Sequence, residues 1–234
     1  MKLLLISNST MPGEPYLDYP KNEIQNFLGE KPVTAVFIPY AAVTFSFNLY
    51  CEKVEERFAE IGHHVVGIHT FADPIKAIQQ AEAIVVGGGN TWQLVRMLND
   101  QNLMNPISEK VLNGTPYIGW SAGSNVACPT LRTTNDMPII DPKGFDCTGL
   151  IPFQINPHYL DANPEGHGGE TREQRIEEFL EINPGLYVAG LREGTMFKLE
   201  NNKLKLIGNR QCRIFKKDEK PFELSAGDDF NFLL

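Results

Sequence analysis

The sequence lacks the features that are typical of membrane-spanning proteins, of secreted proteins and of proteins stabilised by a zinc site. It contains four cysteines in 234 residues, Cys51, Cys128, Cys147 and Cys212, with no C-x-x-C pair, which excludes a zinc knuckle and a thioredoxin-type motif. No apolar stretch approaches the roughly 18 residues that a transmembrane helix needs. The apolar run at Leu3–Ile6 is too short for a signal peptide, and no small-residue cleavage site follows it. These absences favour a cytoplasmic protein in a reducing compartment.

Positive charge is also scarce. The chain has 21 Lys plus Arg against 29 Asp plus Glu, a net charge of -8, which is the wrong sign for attraction to a phosphate backbone or an anionic membrane. We therefore expect neither nucleic acid nor membrane as a partner. A chain that is 42% hydrophobic and 21% charged has the composition of a globular protein. Because no Ser/Gly-rich linker or repeat interrupts it, we expect residues 1–234 to form one α/β domain.

Short apolar runs without polar alternation recur in the first half of the chain. They occupy residues 3–6, 33–38, 65–68, 83–86 and 117–120. Such runs are typical of parallel strands that are buried on both faces. Between them lie helical patterns, of which the clearest places Phe47, Tyr50, Val54 and Phe58 on one face before a stop at Gly62. The alternation predicts a doubly wound, mostly parallel sheet with helices on both faces, whose ligand sites lie at the carboxyl ends of the strands.

The second half of the chain differs from the first in composition. Proline and glycine become frequent after Ser121, and short apolar segments follow at 186–189, 196–199, 204–207 and 212–215. Turn sequences such as residues 200–203 separate them. This pattern predicts short antiparallel C-terminal strands that extend the sheet.

The strongest chemical signal is the G-x-S-x-G sequence of residues 119–123, which contains Ser121. It follows a predicted strand and precedes a short helical stretch, which is the context of a nucleophile elbow. The strained turn of such an elbow exposes the serine hydroxyl at the top of the sheet. We interpret Ser121 as a candidate nucleophile; the alternative is a glycine-rich turn with a capping serine.

A serine nucleophile needs a histidine to take its proton and an acid to orient that histidine. Asn156 and Pro157 fix the turn before His158, which makes His158 the candidate base; the alternative is a surface turn histidine. We expect the other four histidines to be packed or solvated: His63, His64, His69 and His167. Two acids, Asp136 and Glu193, compete for the orienting role, and spacing alone does not choose between them.

Donors for a developing oxyanion are expected at the end of a neighbouring strand. The sequence Gly87-Gly88-Gly89-Asn90-Thr91 follows the predicted strand 83–86 and opens a helix, so its backbone N–H groups face outward there. Phosphate binding is the weaker interpretation, because no Gly-Lys-Ser/Thr follows and Trp92 replaces the third glycine of G-x-G-x-x-G. We therefore predict an oxyanion hole made by the N–H groups of Gly88, Gly89 and Ala122.

An arginine stands at an unfavourable position near residue 171. Residues 171–174 match a capping box with Thr171 as N-cap, which puts Arg172 at the first helical position, where the helix dipole disfavours a cation. Arg172 is either neutralised by Glu170 and Glu173 or directed at an anionic ligand.

Taken together, these motifs resemble the peptidase E family, the α-aspartyl dipeptidases, which are serine peptidases with a class I glutamine amidotransferase-like fold. The stretches that carry the resemblance are residues 87–91, 119–125, 132–138, 156–158 and 169–173. The resemblance covers nearly the whole chain. It implies a hydrolase that removes an N-terminal aspartate from short peptides, mainly Asp-X dipeptides, with Ser121 as nucleophile, His158 as base and no metal or other cofactor.

The resemblance also implies roles for the remaining residues. The family's orienting acid maps to Asp136, which we expect in that role over its rival Glu193. Arg172 corresponds to the family's aspartate-recognition arginine, and Asn90 is expected to bind substrate beside it. A homodimer is implied as well, with the active site near the subunit contact and the loop 161–169 within reach of a neighbouring subunit.

Two alternatives stay open. A cyanophycinase-like enzyme would act on β-aspartyl-arginine, and a non-catalytic sensor on the same fold would bind an anion at the glycine loop. A glutamine amidotransferase is disfavoured, because the elbow carries Ser121 where those enzymes use cysteine.

Overall fold

Two β-sheets organise the chain. The computed structural model describes residues 1–163, 165–166 and 168–234. Its strands are β1 (Leu3–Ile6), β2 (Thr34–Ile38), β3 (His64–Gly67), β4 (Ile84–Val86), β5 (Tyr117–Trp120), β6 (Gln154–Pro157), β7 (Tyr187–Leu191), β8 (Met196–Glu200), β9 (Lys203–Ile207), β10 (Cys212–Lys216) and β11 (Phe222–Leu224). Its α-helices are α1 (Lys21–Leu28), α2 (Phe47–Glu60), α3 (Pro74–Gln80), α4 (Thr91–Asp100), α5 (Met104–Leu112), α6 (Ala122–Val126) and α7 (Arg172–Ile182).

The main sheet has seven strands in the order β3-β2-β4-β5-β1-β8-β9. Strands β1 to β5 pair in parallel, whereas β8 and β9 are antiparallel. The residues of β1, β2, β4 and β5 are almost all buried, as the unbroken apolar runs predict. The edge strand β3 differs from this expectation, because its residues alternate between exposed and buried. The predicted doubly wound, mostly parallel sheet is thus confirmed.

The C-terminal strands divide between two sheets, which corrects the expectation that they all extend the first. The hairpin of β8 and β9 does extend it, and the turn residues Asn201 and Asn202 both have positive φ, as a two-residue hairpin turn requires. Strands β7 and β10 instead join β6 and β11 in a second sheet, ordered β11-β10-β7-β6. The apolar face of this second sheet is buried against the main sheet. Its residues Ile155, Ala189 and Ile214 pack into the core on one face of the main sheet.

Helices cover both faces of the main sheet. Helices α1 and α2 bury Phe27, Val54 and Phe58 against one face, while α3, α4, α5 and α6 cover the opposite face. A fully buried side chain of this size contributes about 1.5–3 kcal/mol to the free energy of unfolding. Helix α2 begins after Ser46, whose side chain accepts the Leu49 N–H at 3.2 Å.

The fold brings the carboxyl ends of the central parallel strands to one edge of the main sheet. Ser7 follows β1, Gly87 follows β4 and Ser121 follows β5, and these three strands are neighbours in the order β4-β5-β1. Two of the sequence motifs, the glycine loop and the Ser121 elbow, therefore meet at one edge, beside Ser7. Among the described residues, no helix combines the length and the apolar character needed to cross a bilayer.

Candidate active site

Ser121 occupies a strained turn between β5 and α6. Its φ is 53° and its ψ is -111°, values that cost a non-glycine residue about 1–3 kcal/mol. The turn is tight because helix α6 passes close to β4: a Cβ on Gly123 would lie 2.2 Å from the carbonyl oxygen of Val86. The Tyr117 hydroxyl donates to the Gly123 carbonyl at 2.6 Å. The residues predicted to form a nucleophile elbow therefore adopt its geometry.

A continuous hydrogen-bonded chain links Ser121, His158 and Glu193. The Ser121 Oγ lies 3.0 Å from His158 Nε2, and His158 Nδ1 lies 2.7 Å from Glu193 Oε1. His158 directly follows β6 and Glu193 follows β7, and these two strands are parallel neighbours. Their carboxyl ends therefore present the base and the acid side by side. Both side chains are partly exposed, so substrate can reach them.

Asp136 does not contact His158, which corrects the expected pairing. Its Oδ2 accepts three hydrogen bonds, from the Thr91 N–H at 2.7 Å, the Thr91 hydroxyl at 2.6 Å and the Thr134 hydroxyl at 3.0 Å. No described nitrogen of His158 lies within 4.0 Å of the carboxylate. The reason is that the 134–136 segment folds onto the start of α4, which has unsatisfied N–H groups that attract a carboxylate.

Two residues that the sequence interpretation missed hold the base and the acid in place. Ser7 is fully buried; its hydroxyl donates to the Leu191 carbonyl at 2.7 Å and accepts the His158 N–H at 2.9 Å. This supports His158 in its unusual backbone conformation, with φ of 54°. The neighbouring Asn8 accepts the Gly194 N–H at 2.9 Å, one residue after Glu193. Their position as a polar pair at the end of β1, on the ligand-binding edge, was the available signal.

The predicted oxyanion loop lies directly beside the nucleophile. A Cβ on Gly88 would lie 3.1 Å from the Cβ of Ser121, so glycine permits this approach. No described group accepts a hydrogen bond from the N–H of Gly88 or Gly89, and Ala122 N–H opens α6, where it has no acceptor within the helix. All three predicted donors are therefore available near Ser121.

Three aromatic side chains form a hydrogen-bonded network that contacts the glycine loop. The Tyr50 hydroxyl donates to the Gly88 carbonyl at 2.9 Å and accepts from Tyr16 at 3.0 Å and from the Trp120 indole at 3.1 Å. Burial raises the pKa of Tyr50 to about 12, although its hydrogen-bond donors oppose the rise. Tyr50 therefore stays protonated and can keep donating to the loop.

Arg172 lacks the neutralising partners that one interpretation assigned to it. Glu170 pairs with Arg175 at 3.6 Å, and Glu173 pairs with Arg213 at 2.9 Å. No described carboxylate lies within 4.0 Å of the Arg172 guanidinium. Burial and repulsion from Arg175 lower the pKa of Arg172, and Asp136 opposes this effect from a longer distance. The capping box of α7 forms as predicted, so Arg172 begins the helix as an uncompensated cation.

Two cavities meet at Asp136. The main cavity has a volume of about 640 Å³ and contains Ser121, His158 and the glycine loop. The basic cavity, of about 140 Å³, is lined by Arg132, Arg172 and Arg175 among others. Asp136 lines both. The cavity of the nucleophile and the basic cavity therefore share the Asp136 carboxylate as a common lining group.

Asn90 is not among the residues that line these two cavities, and its expected role in binding substrate stays a prediction. Its side-chain oxygen caps α4 by accepting the Gln93 N–H at 3.0 Å, and its side-chain nitrogen donates to the Met137 carbonyl at 3.0 Å. Both ends of the amide are thus used to fasten the 134–138 segment to the helix.

The other three described histidines contact partners outside this site. His63 is buried and accepts the Val33 N–H, while His64 pairs with Glu55 and His69 contacts Asn48. His167 lies outside the described residues, as does part of the 161–169 loop that is expected to reach a neighbouring subunit.

Comparisons with known proteins show the family of this chain. The model of peptidase family S51 matches residues 3–207. The chain is 53% identical to peptidase E of Nostoc sp. over 233 residues, covering 100% of this chain and 96% of that protein. It is 50% identical to peptidase E of Salmonella newport over 230 residues, covering 98% and 100%. The resemblance to the peptidase E family is therefore confirmed.

Solved structures share the fold. A peptidase from an acI-B1 Actinobacterium superimposes with a TM-score of 0.70 at 18% identity, covering 98% of this chain and 96% of that one. A putative peptidase E from Listeria monocytogenes gives a TM-score of 0.59 at 21% identity, with 96% and 98% covered. From the family match and the identities above, the chain is a peptidase that belongs to peptidase family S51.

Proposed function

We propose that this peptidase is a serine dipeptidase that releases the N-terminal aspartate of Asp-X dipeptides. The observation that carries the proposal is the hydrogen-bonded chain from Ser121 through His158 to Glu193, with bonds of 3.0 and 2.7 Å. This is the arrangement that converts a serine hydroxyl into a nucleophile at neutral pH. In this proposal Glu193 takes the orienting role that the family resemblance gave to Asp136.

The reaction begins when His158 Nε2 takes the Ser121 hydroxyl proton as Oγ attacks the carbonyl carbon of the N-terminal aspartate. Glu193 accepts a hydrogen bond from Nδ1 and stabilises the imidazolium that forms. The tetrahedral oxyanion accepts hydrogen bonds from N–H groups of Gly88, Gly89 and Ala122. His158 then gives its proton to the leaving amine, the C–N bond breaks, and an aspartyl ester of Ser121 remains.

Water completes the cycle. His158 takes a proton from a water molecule, which attacks the ester carbonyl, and the second tetrahedral intermediate collapses to free aspartate. The same proton returns to Ser121 Oγ as the ester bond breaks. Proton transfers balance over the two halves, and no external oxidant or reductant is needed.

Selectivity for aspartate is proposed to come from Arg172 and Asp136. Arg172 is a partly buried cation without a described carboxylate partner, and a guanidinium binds a carboxylate through paired hydrogen bonds. The Asp136 Oδ2 receives all three of its hydrogen bonds, which leaves Oδ1 for a donor from substrate. Arg172 would hold the aspartate side chain, and Asp136 would hold the free α-ammonium group.

The test is a panel of dipeptides with a common second residue: Asp-Leu, Asn-Leu, Glu-Leu and Leu-Leu. We expect hydrolysis to be confined to Asp-Leu, because Asn-Leu has nearly the same shape without the charge. Ser121→Ala should abolish turnover, and a serine-directed phosphonate should label the unaltered protein but not this variant. Full hydrolysis of Asp-Leu by Ser121→Ala would contradict the proposed nucleophile.

The same panel separates the alternatives. Faster cleavage of β-Asp-Arg than of Asp-Leu would favour the cyanophycinase-like activity. A protein that hydrolyses none of these peptides and resists the phosphonate would favour the anion-binding sensor.

A further inference from the structure

The main cavity extends across the edge of the main sheet from one face to the other. Asp136 lies on the α4 side, beside the basic cavity. The opposite side of the cavity is lined by Tyr16 and Tyr50. Both residues pack against the core on the sheet face that α1 and α2 cover. Ser121 stands between the two sides. If aspartate occupies the Asp136 and Arg172 side, the residue after the scissile bond must lie toward α2.

Helix α2 offers a cation on that side. Lys53 is the only lysine or arginine among the described residues that line the main cavity. Its Nζ lies 4.2 Å from the centre of the Tyr16 ring, a distance at which the aromatic face attracts an ammonium group. Within the described part of the chain, no acceptor is hydrogen-bonded to Lys53 and no carboxylate pairs with it. The exposed Lys53 ammonium is therefore available to a ligand in the cavity.

Apolar side chains stand exposed beside this lysine. Phe45 is 44% exposed and Leu49 is 55% exposed, although both line the cavity that contains the nucleophile. The Phe45 ring is held edge-on to Tyr50, with centroids 5.2 Å apart. Exposed large apolar side chains at a site of chemistry indicate contact with an apolar ligand group.

We propose that Tyr16, Phe45, Leu49 and Lys53 form a leaving-residue subsite, which binds the second residue of the dipeptide. Phe45 and Leu49 contact its side chain, and the Lys53 ammonium binds its free α-carboxylate. This inference rests on the proposed dipeptidase function and deepens it. A dipeptide presents that carboxylate one residue beyond the scissile bond, whereas a longer peptide presents a neutral amide there. Lys53 would therefore favour dipeptides over longer peptides.

The negative net charge of the protein gives a second reason to assign a substrate-binding role to Lys53. With a net charge of -8, the overall field repels a peptide that carries two carboxylates. Local cations must therefore overcome the repulsion at each carboxylate. Arg172 serves the aspartate side chain in the proposed function, and Lys53 serves the α-carboxylate in this one.

The experiment compares Asp-Leu with Asp-Leu-amide, which lacks the C-terminal charge. The unaltered enzyme should cleave Asp-Leu with a kcat/KM at least about tenfold higher, the typical effect of one hydrogen bond to a charged group. Lys53→Met keeps an unbranched side chain against Tyr16 but removes the charge. This variant should lose about tenfold on Asp-Leu, mainly through KM, and nothing on Asp-Leu-amide. Lys76→Met on α3, an exposed lysine outside the cavity, is the matched control and should change neither substrate.

Three outcomes overturn the subsite. They are equal kcat/KM of the unaltered enzyme on the two peptides, an equal loss on both peptides in Lys53→Met, and no loss on either peptide in Lys53→Met.

The apolar contact of Phe45 with the second side chain has its own test. Phe45→Ala should lower kcat/KM for Asp-Leu by several-fold more than for Asp-Gly, and an equal effect on the two peptides contradicts this contact.

Asp-p-nitroanilide separates failure of the subsite from failure of the proposed function. This substrate has an aspartyl group and no leaving carboxylate, so Lys53→Met should cleave it as fast as the unaltered enzyme does. If the unaltered enzyme cleaves Asp-p-nitroanilide and one of the three outcomes above occurs, only the subsite is wrong. If it cleaves neither Asp-p-nitroanilide nor Asp-Leu, the dipeptidase function itself is wrong, and the subsite with it.

Discussion

The imidazole of His158 has its Nδ1 2.7 Å from Glu193 Oε1. These two residues are 35 positions apart in the chain, yet they follow the adjacent parallel strands β6 and β7. Pairing of the strands therefore sets the pairing of the side chains. Asp136 is only 22 positions from His158 but is bound to Thr91 and Thr134.

Replacing Glu193 by glutamine should impair the chemical step. The amide can still accept a hydrogen bond from His158 Nδ1, but it no longer carries the charge that stabilises the imidazolium. We expect kcat for Asp-Leu to fall by about 10²- to 10⁴-fold with little change in KM, as for the orienting acid of other serine hydrolases. Steady-state kinetics at pH 7.5 give the result. A fall of less than threefold would show that the contact with Glu193 has no catalytic role.

Replacing Asp136 by asparagine should have a different kinetic signature. The Thr91 and Thr134 donors can still bond to the amide oxygen, while the substrate ammonium loses a carboxylate. We expect KM for Asp-Leu to rise about tenfold or more, with a smaller change in kcat than in Glu193→Gln. The unaltered enzyme should also reject N-acetyl-Asp-Leu, which lacks the ammonium. A collapse of kcat at constant KM would instead restore Asp136 as the orienting acid.

Ser7→Ala should affect catalysis without touching substrate. The change leaves the part-buried His158 N–H without its acceptor and removes one of two hydrogen bonds to the Leu191 carbonyl, which still accepts the Tyr159 N–H. The expected cost is about 1–3 kcal/mol of unfolding free energy. Because His158 can then shift, kcat should fall about tenfold or more. The control is Thr148→Val, which removes another buried hydroxyl, the donor to the Val126 carbonyl. It should lower stability similarly in urea unfolding but leave kcat within twofold; equal kinetic effects would contradict a positioning role for Ser7.

Arg172→Met should lower activity and spare stability. Since no described carboxylate lies within 4.0 Å of the guanidinium, its loss breaks no ion pair, and the free energy of unfolding should change by less than about 0.5 kcal/mol. The kcat/KM for Asp-Leu should fall by about 10- to 100-fold. Arg96→Met, which removes an arginine paired with Asp100 at 2.7 Å, serves as control and should leave kcat/KM unchanged. A stability loss that matches the activity loss would favour a structural role for Arg172.

Stability should decline in acid partly through Glu223. Arg192 donates to Glu223 at 2.8 Å, and this contact holds the pKa of the carboxyl below its usual value. A depressed folded pKa means that the contribution is complete above the unfolded pKa, near 4.3, and is lost as the pH falls through the folded pKa. Glu223→Gln should therefore cost about 1–2 kcal/mol at pH 7 and progressively less below pH 4. Urea unfolding at pH 7, 5 and 3 measures this difference; a constant difference would rule out the linkage.

Local sequence determined much of this protein. Apolar runs without alternation specified the central parallel strands β1, β2, β4 and β5, because both faces of these strands are covered. The elbow around Ser121, the cap at Thr171 and the glycine loop at residues 87–89 were also predictable, since each depends on neighbours within a few positions.

Contacts between distant segments were decided only by the tertiary structure. The second sheet brings Glu193 to His158, Ser7 reaches His158 across 151 positions, and the start of α4 captures Asp136. Asn90, which was expected to bind substrate, caps helix α4. Asp136 and Glu193 both carry a carboxylate, and spacing along the sequence does not show which of them contacts His158. What separates them is which strand ends lie side by side, and strand order is set by the burial of whole sheets, not by the residues of any one motif.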